Sequence, residues 1–436
     1  MASQLSAARM PSFRRGTRVG GQTGSSRRWS AGVIAVIASA ATLVGTSGVS
    51  GAAAARHSID GENVFRQVNL VSDLAETHPL LIDPDVKNPW GIAFGPNTPL
   101  WVSNNFNPAS DCGTPGCVPA PQTLITQITV YKGANGHDKF VKVPLEVSAS
   151  APTGAVFNPT KSFAVTQGGV TAPATFLFNE VVPNATGTGP LGEITGWTKA
   201  ANPLPTATVA THGEDGAFYS GLTLVPGHEG GSGPRLLSAD NANGSVDVFD
   251  GNFKPVTLPN GAFVDPTPNA QPMSPYNVAY LKGRVYVAYT PNTQDGSGDS
   301  ALSVFTTAGK FIKRLATGAP LSGPWGMAIA PEGWGDFGGA LLVGNVNDGK
   351  INAFNPHSGR LLGTLSDAHG NAISNPGLWG IKFGNGTIGT PQTLIFAAGI
   401  GSAANGFGDG YAHGLVGLIV PLRHDDGGDH GDGDGD

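Results

Sequence analysis

From residue 65 to about residue 420 the apolar positions come in short runs that alternate with Ser, Thr, Gly or Asn and are separated by clusters of Gly, Pro, Asn and Asp. No stretch of a dozen residues keeps a clean 3.6-residue apolar period, so the pattern predicts short β-strands joined by turns. One motif recurs at intervals of about sixty residues: Gly91-Ile-Ala-Phe94, Gly154-Ala-Val-Phe157, Gly221-Leu-Thr-Leu224, Asn277-Val-Ala-Tyr280, Gly326-Met-Ala-Ile329 and Gly380-Ile-Lys-Phe383. A second apolar run follows each copy: Leu100–Val102, Phe163–Val165, Arg235–Leu237, Val285–Val287, Leu341–Val343 and Leu394–Phe396. A third run comes next: Ile128–Tyr131, Thr175–Phe178, Val246–Phe249, Leu302–Phe305, Ile351–Phe354 and Leu415–Leu418.

Five of the units are expected to end in a weaker fourth strand, as at Phe140–Val143, Phe311–Arg314 and Leu361–Thr364, reached through turns such as Asp250-Gly251 and Ser358-Gly359. Four antiparallel strands repeated radially make a propeller blade. The expected fold is therefore all-β, a six-bladed β-propeller over residues 65–422. The sixth unit lacks an outer strand, while Phe65-Arg-Gln-Val-Asn-Leu-Val71 is a strand without a unit. That N-terminal strand is predicted to complete the last blade and close the ring, which removes exposed sheet edges.

The two ends read differently. Residues 1–55 hold six arginines and no acidic residue, then the mildly apolar run Ala31–Val49 and the small residues Gly51–Ala55, the layout of an export signal. Arg27-Arg28 suits the twin-arginine route, with the general secretory route as the alternative, and residues 56–64 read as a linker. The apolar run is too weak for an anchoring helix, so the processed chain is expected to be secreted, with no transmembrane anchor. Residues 423–436 contain only Arg, His, Asp and Gly, cannot bury a core, and read as a disordered tail.

Cleavage after residue 55 removes six of 25 basic residues and none of 31 acidic ones, leaving a formal net charge of −12, which argues against a nucleic-acid partner. Cys112 and Cys117, the two cysteines, flank a Gly-Thr-Pro-Gly turn and read as a local disulfide in an oxidising compartment.

Asn69-Leu-Val-Ser-Asp73, Asn88-Pro-Trp-Gly-Ile-Ala-Phe94, Trp101-Val-Ser-Asn-Asn105, Gly323-Pro-Trp-Gly-Met-Ala328, Asp348-Gly-Lys-Ile-Asn-Ala-Phe354 and Leu378-Trp-Gly-Ile381 together resemble a family of secreted bacterial hypothetical proteins, some with PEP-CTERM sorting tails. The likeness covers roughly residues 65 to 400. It implies export and a propeller related to the NHL and gluconolactonase-like types, and no particular activity. The Asp/Gly/His tail replaces the sorting helix of some members.

In a propeller, the loops entering the first strand of each blade and those joining its second strand to its third emerge on one face, around the mouth of the central channel, where ligand sites are sought. That face is expected to gather Asn104, Asn105, His212, Glu214, Asp215, Asp240, Asn241, Asn277, Asn345, Asn347, Asp348, Asp367 and His369, while the opposite face carries tight hairpins and the stretch around residues 179–192. Rings of Asn and Asp oxygens suit calcium, and the same residues are common turn formers. Glu214, Asp215 and Asp240 are the candidate metal ligands, and His212, Glu214 and Asp215 the densest ionisable cluster, able to supply a general base. Trp90, Trp325 and Trp379 each begin an innermost strand, as a platform for a sugar or as packing between blades. No Gly-x-Ser-x-Gly, His-Glu-x-x-His or Walker motif occurs. Two functions remain: an extracellular binding or scaffold propeller, expected as a monomer, taking a small molecule, glycan or protein at the channel mouth; and a divalent-cation-assisted hydrolase or lyase acting on a lactone, ester or glycan.

Overall fold

The computed structural model describes residues 64–105, 126–183, 190–201, 205–227, 233–269, 271–292, 299–401 and 412–422. The export signal, Cys112 and Cys117, residues 294–298 and the acidic tail lie outside them.

The first strand, β1 (Phe65–Ser72), and the two-residue β2 (Leu81–Ile82) precede blade 1, which holds β3 (Pro89–Ala93), β4 (Leu100–Asn104), β5 (Thr126–Lys132) and β6 (Val141–Ala149). Blade 2 starts with β7 (Pro152–Phe157), followed by the separate hairpin β8 (Ala164–Gln167) and β9 (Val170–Pro173), then β10 (Phe176–Pro183), β11 (Pro190–Trp197) and β12 (Thr208–Asp215). Blade 3 comprises β13 (Tyr219–Val225), β14 (Arg235–Asp240) and β15 (Ser245–Phe249); blade 4 comprises β16 (Met273–Leu281), β17 (Arg284–Pro291), β18 (Ala301–Phe305) and β19 (Phe311–Thr317). Blade 5 is built from β20 (Pro324–Ile329), β21 (Leu341–Asn345), β22 (Ile351–Phe354) and β23 (Leu361–Thr364), and blade 6 from β24 (Leu378–Phe383), β25 (Leu394–Ile400) and β26 (His413–Pro421).

Ring closure follows the expected route. Strand β1 pairs antiparallel with β26, from Phe65 opposite Pro421 to Ser72 opposite Leu415, and β2 adds to β1 in parallel. The closure is pinned at the mouth end by Asp73, which accepts the Gly414 N–H at 2.9 Å and pairs with His413 Nδ1 at 2.6 Å and with Lys87.

Two elements depart from the sequence reading. In blade 2 the second strand is β10 rather than Phe163–Val165. Strand β10 has an apolar run long enough to pair with both β7 and β11, while the β8–β9 hairpin keeps one face in solvent and is tied down by Gln167 to Thr206 and Thr198. The facing ends of β10 and β11, Pro183 and Pro190, consequently lie at the mouth end of the blade, not on the hairpin face. In blade 3 a single bridge between Phe249 and Pro255 replaces the fourth strand. Proline cannot donate to a ladder, and Pro255, Pro259, Pro266 and Pro268 punctuate this segment.

The repeated motif is explained by the approach of neighbouring blades. The innermost strands β3, β7, β13, β16, β20 and β24 each pack on the next, and β24 packs back on β3. A Cβ on Gly91 would stand 2.3 Å from the Thr153 carbonyl oxygen, on Gly154 2.4 Å from the Leu222 nitrogen, and on Gly326 2.4 Å from the Trp379 carbonyl oxygen. Only glycine allows backbones so close. In the fourth unit Asn277 takes the place of glycine, and its amide donates to the Trp325 carbonyl at 2.6 Å.

Six apolar clusters fill the interfaces between successive blades, for example Trp101, Phe176, Phe178 and Trp197 between blades 1 and 2. A seventh lies on the axis.

Candidate functional site

Near the mouth the innermost ladder is irregular in blade after blade, between Pro89 and Ile92, Tyr219 and Gly221, Pro275 and Asn277, Pro324 and Met327, and Leu378 and Ile381. An extra residue in one strand re-aims its side chain. Here those residues include Trp90, Tyr276, Trp325 and Trp379, from blades 1, 4, 5 and 6, which meet each other together with Phe218 and Val346. Side chains from four separate inner strands can touch only at the axis.

Trp90 and Trp379 stack with ring centroids 3.7 Å apart, and Trp325 stands edge-on to them at 6.4 and 6.0 Å. The indole N–H groups of Trp90 and Trp379 both donate to Asn88 Oδ1 at 3.1 Å, and that of Trp325 to the Ser220 carbonyl at 3.2 Å. All three indoles are buried. The channel mouth is thus plugged by aromatic rings, which act as packing rather than as an open platform.

The amides and carboxylates of the rim are mostly engaged with backbone. Asn104 donates to the Gln127 carbonyl and to Thr129, Asn105 to the Ala151 carbonyl at the entry to blade 2, Asn241 to the Pro275 carbonyl at the entry to blade 4, and Asn345 to the Pro320 carbonyl. Asp240 is buried and accepts from the N–H groups of Phe218 and Asn243 and from the Asn243 amide. Burial pushes its carboxyl up against the pull of those three donors. Asp348 bonds the Lys350 N–H in a turn, and Asn347 is exposed beside Gly323. Asn104 Oδ1 and Asn345 Oδ1 are buried without a hydrogen-bond partner. Among the described residues no group of three or more His, Cys, Asp or Glu is arranged to hold a metal ion.

His212, Glu214 and Asp215 sit at the mouth end of β12, the outer strand of blade 2; the side chain of Asp215 lies outside the described residues. Glu214 is exposed, and His212 turns inward to a partner that the sequence reading did not single out, with Nδ1 3.1 Å from Glu193 Oε1. Glu193 on β11 stands directly across from Glu180 on β10, so two glutamates face one another in adjacent strands. Glu180 is 4% exposed and accepts the Ser150 N–H and the Thr195 hydroxyl, each at 2.6 Å. Burial pushes its carboxyl up to about 7; the two donors oppose this and the Glu193 charge adds to it. Glu193 is also raised by burial, against the pull of His212.

Glu180 holds the place at the mouth end of its second strand that Asn104, Asp240 and Asn345 hold in theirs, each facing the first residues of the inner strand. Its bond from Ser150 N–H parallels that from Phe218 N–H to Asp240. The cross-strand pair of glutamates with an exposed imidazole on its outer side is the densest set of perturbed acids at the mouth, a combination able to hold or pass a proton.

The closed ring of six sheets defines a six-bladed β-propeller. The soluble aldose sugar dehydrogenase of Escherichia coli matches with a TM-score of 0.50 at 10% identity, over 82% of this chain and all of that one. The α-L-arabinofuranosidase arb93a of Fusarium graminearum matches with a TM-score of 0.49 at 13% identity, over 83% of this chain and 99% of that one. At such identities the fold alone is shared. In sequence the chain is 30% identical to the uncharacterized protein R648 of Acanthamoeba polyphaga mimivirus over 312 residues, 69% of each chain, and it belongs to the family of that protein. It is also 30% identical to R640 of the same virus over 229 residues, which span only 40% of R640, and 27% identical to L690 over 351 residues, 81% of L690. No family model matches the chain.

Proposed function

We propose that the chain is an exported binding propeller, related to secreted bacterial propellers, whose mouth-face loops rather than its channel take a small molecule, glycan or protein. The observation that supports this reading most is the plug of Trp90, Trp325, Trp379 and Tyr276, which fills the place where a propeller enzyme would admit substrate. The engaged rim amides point the same way. Export rests on the arginine-rich leader, with Cys112 and Cys117 as a local disulfide once outside the cell.

A second reading, hydrolase or lyase chemistry on a lactone, ester or glycan, rests on the Glu180–Glu193–His212 set, where a carboxyl that stays protonated near neutrality adjoins one paired with imidazole. Calcium would join this reading through the rim oxygens, foremost the unpartnered Asn104 Oδ1 and Asn345 Oδ1.

Residues 56–436, produced as the mature chain, separate the two. The probes are a glycan array and chromogenic lactone, ester and glycoside panels, each with and without calcium. The binding reading expects saturable glycan retention that falls at least tenfold in a His212→Ala, Glu214→Ala double variant, with no turnover. Turnover that disappears in Glu193→Gln would replace it with the enzymatic reading.

A further inference from the structure

The charges of the ring are sorted by face. Asp73, Glu180, Glu193, Glu214, Asp240 and Asp348 gather at the mouth end. On the opposite face every blade presents an exposed basic side chain from a hairpin or a strand end: Lys139, Lys161, Lys254, Lys282, Arg360 and Arg66, from blades 1 to 6 in turn. None of these six joins an ion pair among the described residues. The described carboxylates of this face are fewer. Asp138 and Asp250 accept hydrogen bonds inside their own turns, and Glu332 and Asp336 share the hairpin of blade 5.

This face also carries a cleft. The β5–β6 hairpin of blade 1 is bridged to the β24–β25 hairpin of blade 6: the Gly133 N–H donates to the Thr387 carbonyl at 3.0 Å and the Asn135 amide to the Gly386 carbonyl at 2.8 Å. Beside the bridge lies a cleft of about 290 Å³ lined by Lys132, Gly133, Asp138, Lys139 and Thr387. Gly133 has a φ of 99°, and a Cβ on it would stand 2.0 Å from the Lys139 carbonyl oxygen. Only glycine allows the turn that brings both lysines to the cleft.

The chain leaves the ring on the same face. Strand β26 ends at Pro421 opposite Phe65, and the Leu422 N–H donates to the Val64 carbonyl at 2.8 Å, in blade 6, one of the two blades that wall the cleft. Residues 423–436 follow, with six aspartates and no apolar residue. Extended, a segment of that length reaches about 45 Å. A segment tethered beside the surface it complements acts at an effective concentration on the order of millimolar.

We propose that the basic face is the docking surface of the chain's own acidic tail, residues 423–436, with aspartate carboxylates seated at Lys132 and Lys139 in the cleft. The docked tail neutralises the ring of basic side chains and keeps other polyanions off this face, whatever binds at the mouth. The contact rests on charge, so salt weakens it.

The test compares residues 56–436 with a variant carrying Asp425→Asn, Asp426→Asn, Asp429→Asn, Asp432→Asn, Asp434→Asn and Asp436→Asn, which leaves every residue of the ring in place. Both chains are labelled with acetic anhydride to less than one acetyl group per chain and read by peptide mass spectrometry, with Lys350 at the mouth as the reference. A carboxylate beside an ammonium holds its proton and shields it from the reagent. Lys132 and Lys139 are therefore expected to react at least threefold faster in the variant at about 20 mM salt, and equally in both chains at about 0.5 M. Equal rates in the two chains at low salt would overturn the proposal; if heparin then slowed both, the face would belong to an external polyanion instead. Protection that fades on dilution would also overturn it, by placing the tail on a second copy.

Discussion

Replacing Glu180 by glutamine removes a charge that the fold tolerates poorly while keeping the shape of the side chain. In the native ring Glu180 is 4% exposed and its carboxyl is pushed up to about 7, mainly by burial and further by Glu193. In the unfolded chain the same group loses its proton near its ordinary value of 4.5. A raised folded value means that below about pH 4.5 neither state is penalised. As pH rises toward 7 the unfolded chain releases its proton first, and stability falls until the folded group also ionises. The whole loss, at 1.36 kcal/mol per unit, is about 3 kcal/mol. Glutamine does not ionise, its carbonyl can accept the Ser150 N–H, and its NH2 can donate to the Thr195 hydroxyl. E180Q should therefore exceed the wild type by up to about 3 kcal/mol at pH 8, roughly 4 °C in melting temperature for a ring of this size, and by little at pH 5. Urea and calorimetric unfolding at the two pH values measure this. A difference that does not change with pH, or an E180Q less stable at pH 8, would refute the assignment of a buried, proton-retaining carboxyl.

Deleting residues 56–72 removes β1 from β26 and should turn one cooperative melt into a broad, earlier one; a truncated chain that melts as the intact protein does would show that ring closure contributes nothing. Trp379→Ala should cost about 3–5 kcal/mol in urea unfolding, because the indole stacked on Trp90 leaves a cavity that the ring cannot collapse to fill; a loss under about 1 kcal/mol would mean that the axis is loosely packed.

The blade count and the closing strand were legible because both rest on the period of apolar runs and on a surplus strand at one end, features that survive without knowledge of contacts. The inner-strand glycines were legible as a motif before their reason was: each stands where the next blade's backbone leaves no room for a Cβ. The second blade misled because Phe163–Val165 has the right length and spacing for a second strand. What settles the matter is partnership, since β10 finds a ladder on both sides and the β8–β9 hairpin has its own.

The acid pair stayed hidden for a related reason. His212 and Glu214 stand close together in the sequence, whereas Glu180 and Glu193 lie in different strands, thirteen positions apart, and are brought together by cross-strand register alone. Once β10 is taken as the second strand, Glu180 falls on the position of Asn104, Asp240 and Asn345, and a polar residue there is what the other blades require to hold the chain entering or leaving the mouth. The repeat thus demands a hydrogen-bonding side chain at that place, a donor to backbone carbonyls in blades 1 and 5 and an acceptor of a backbone N–H in blades 2 and 3, whereas a glutamate with a second glutamate opposite exceeds the demand. A purely structural latch could be an asparagine, as in blades 1 and 5, without the cost of burying a carboxyl. The excess of charge over structural need marks blade 2, of the latches around the mouth, as the one whose chemistry is worth testing.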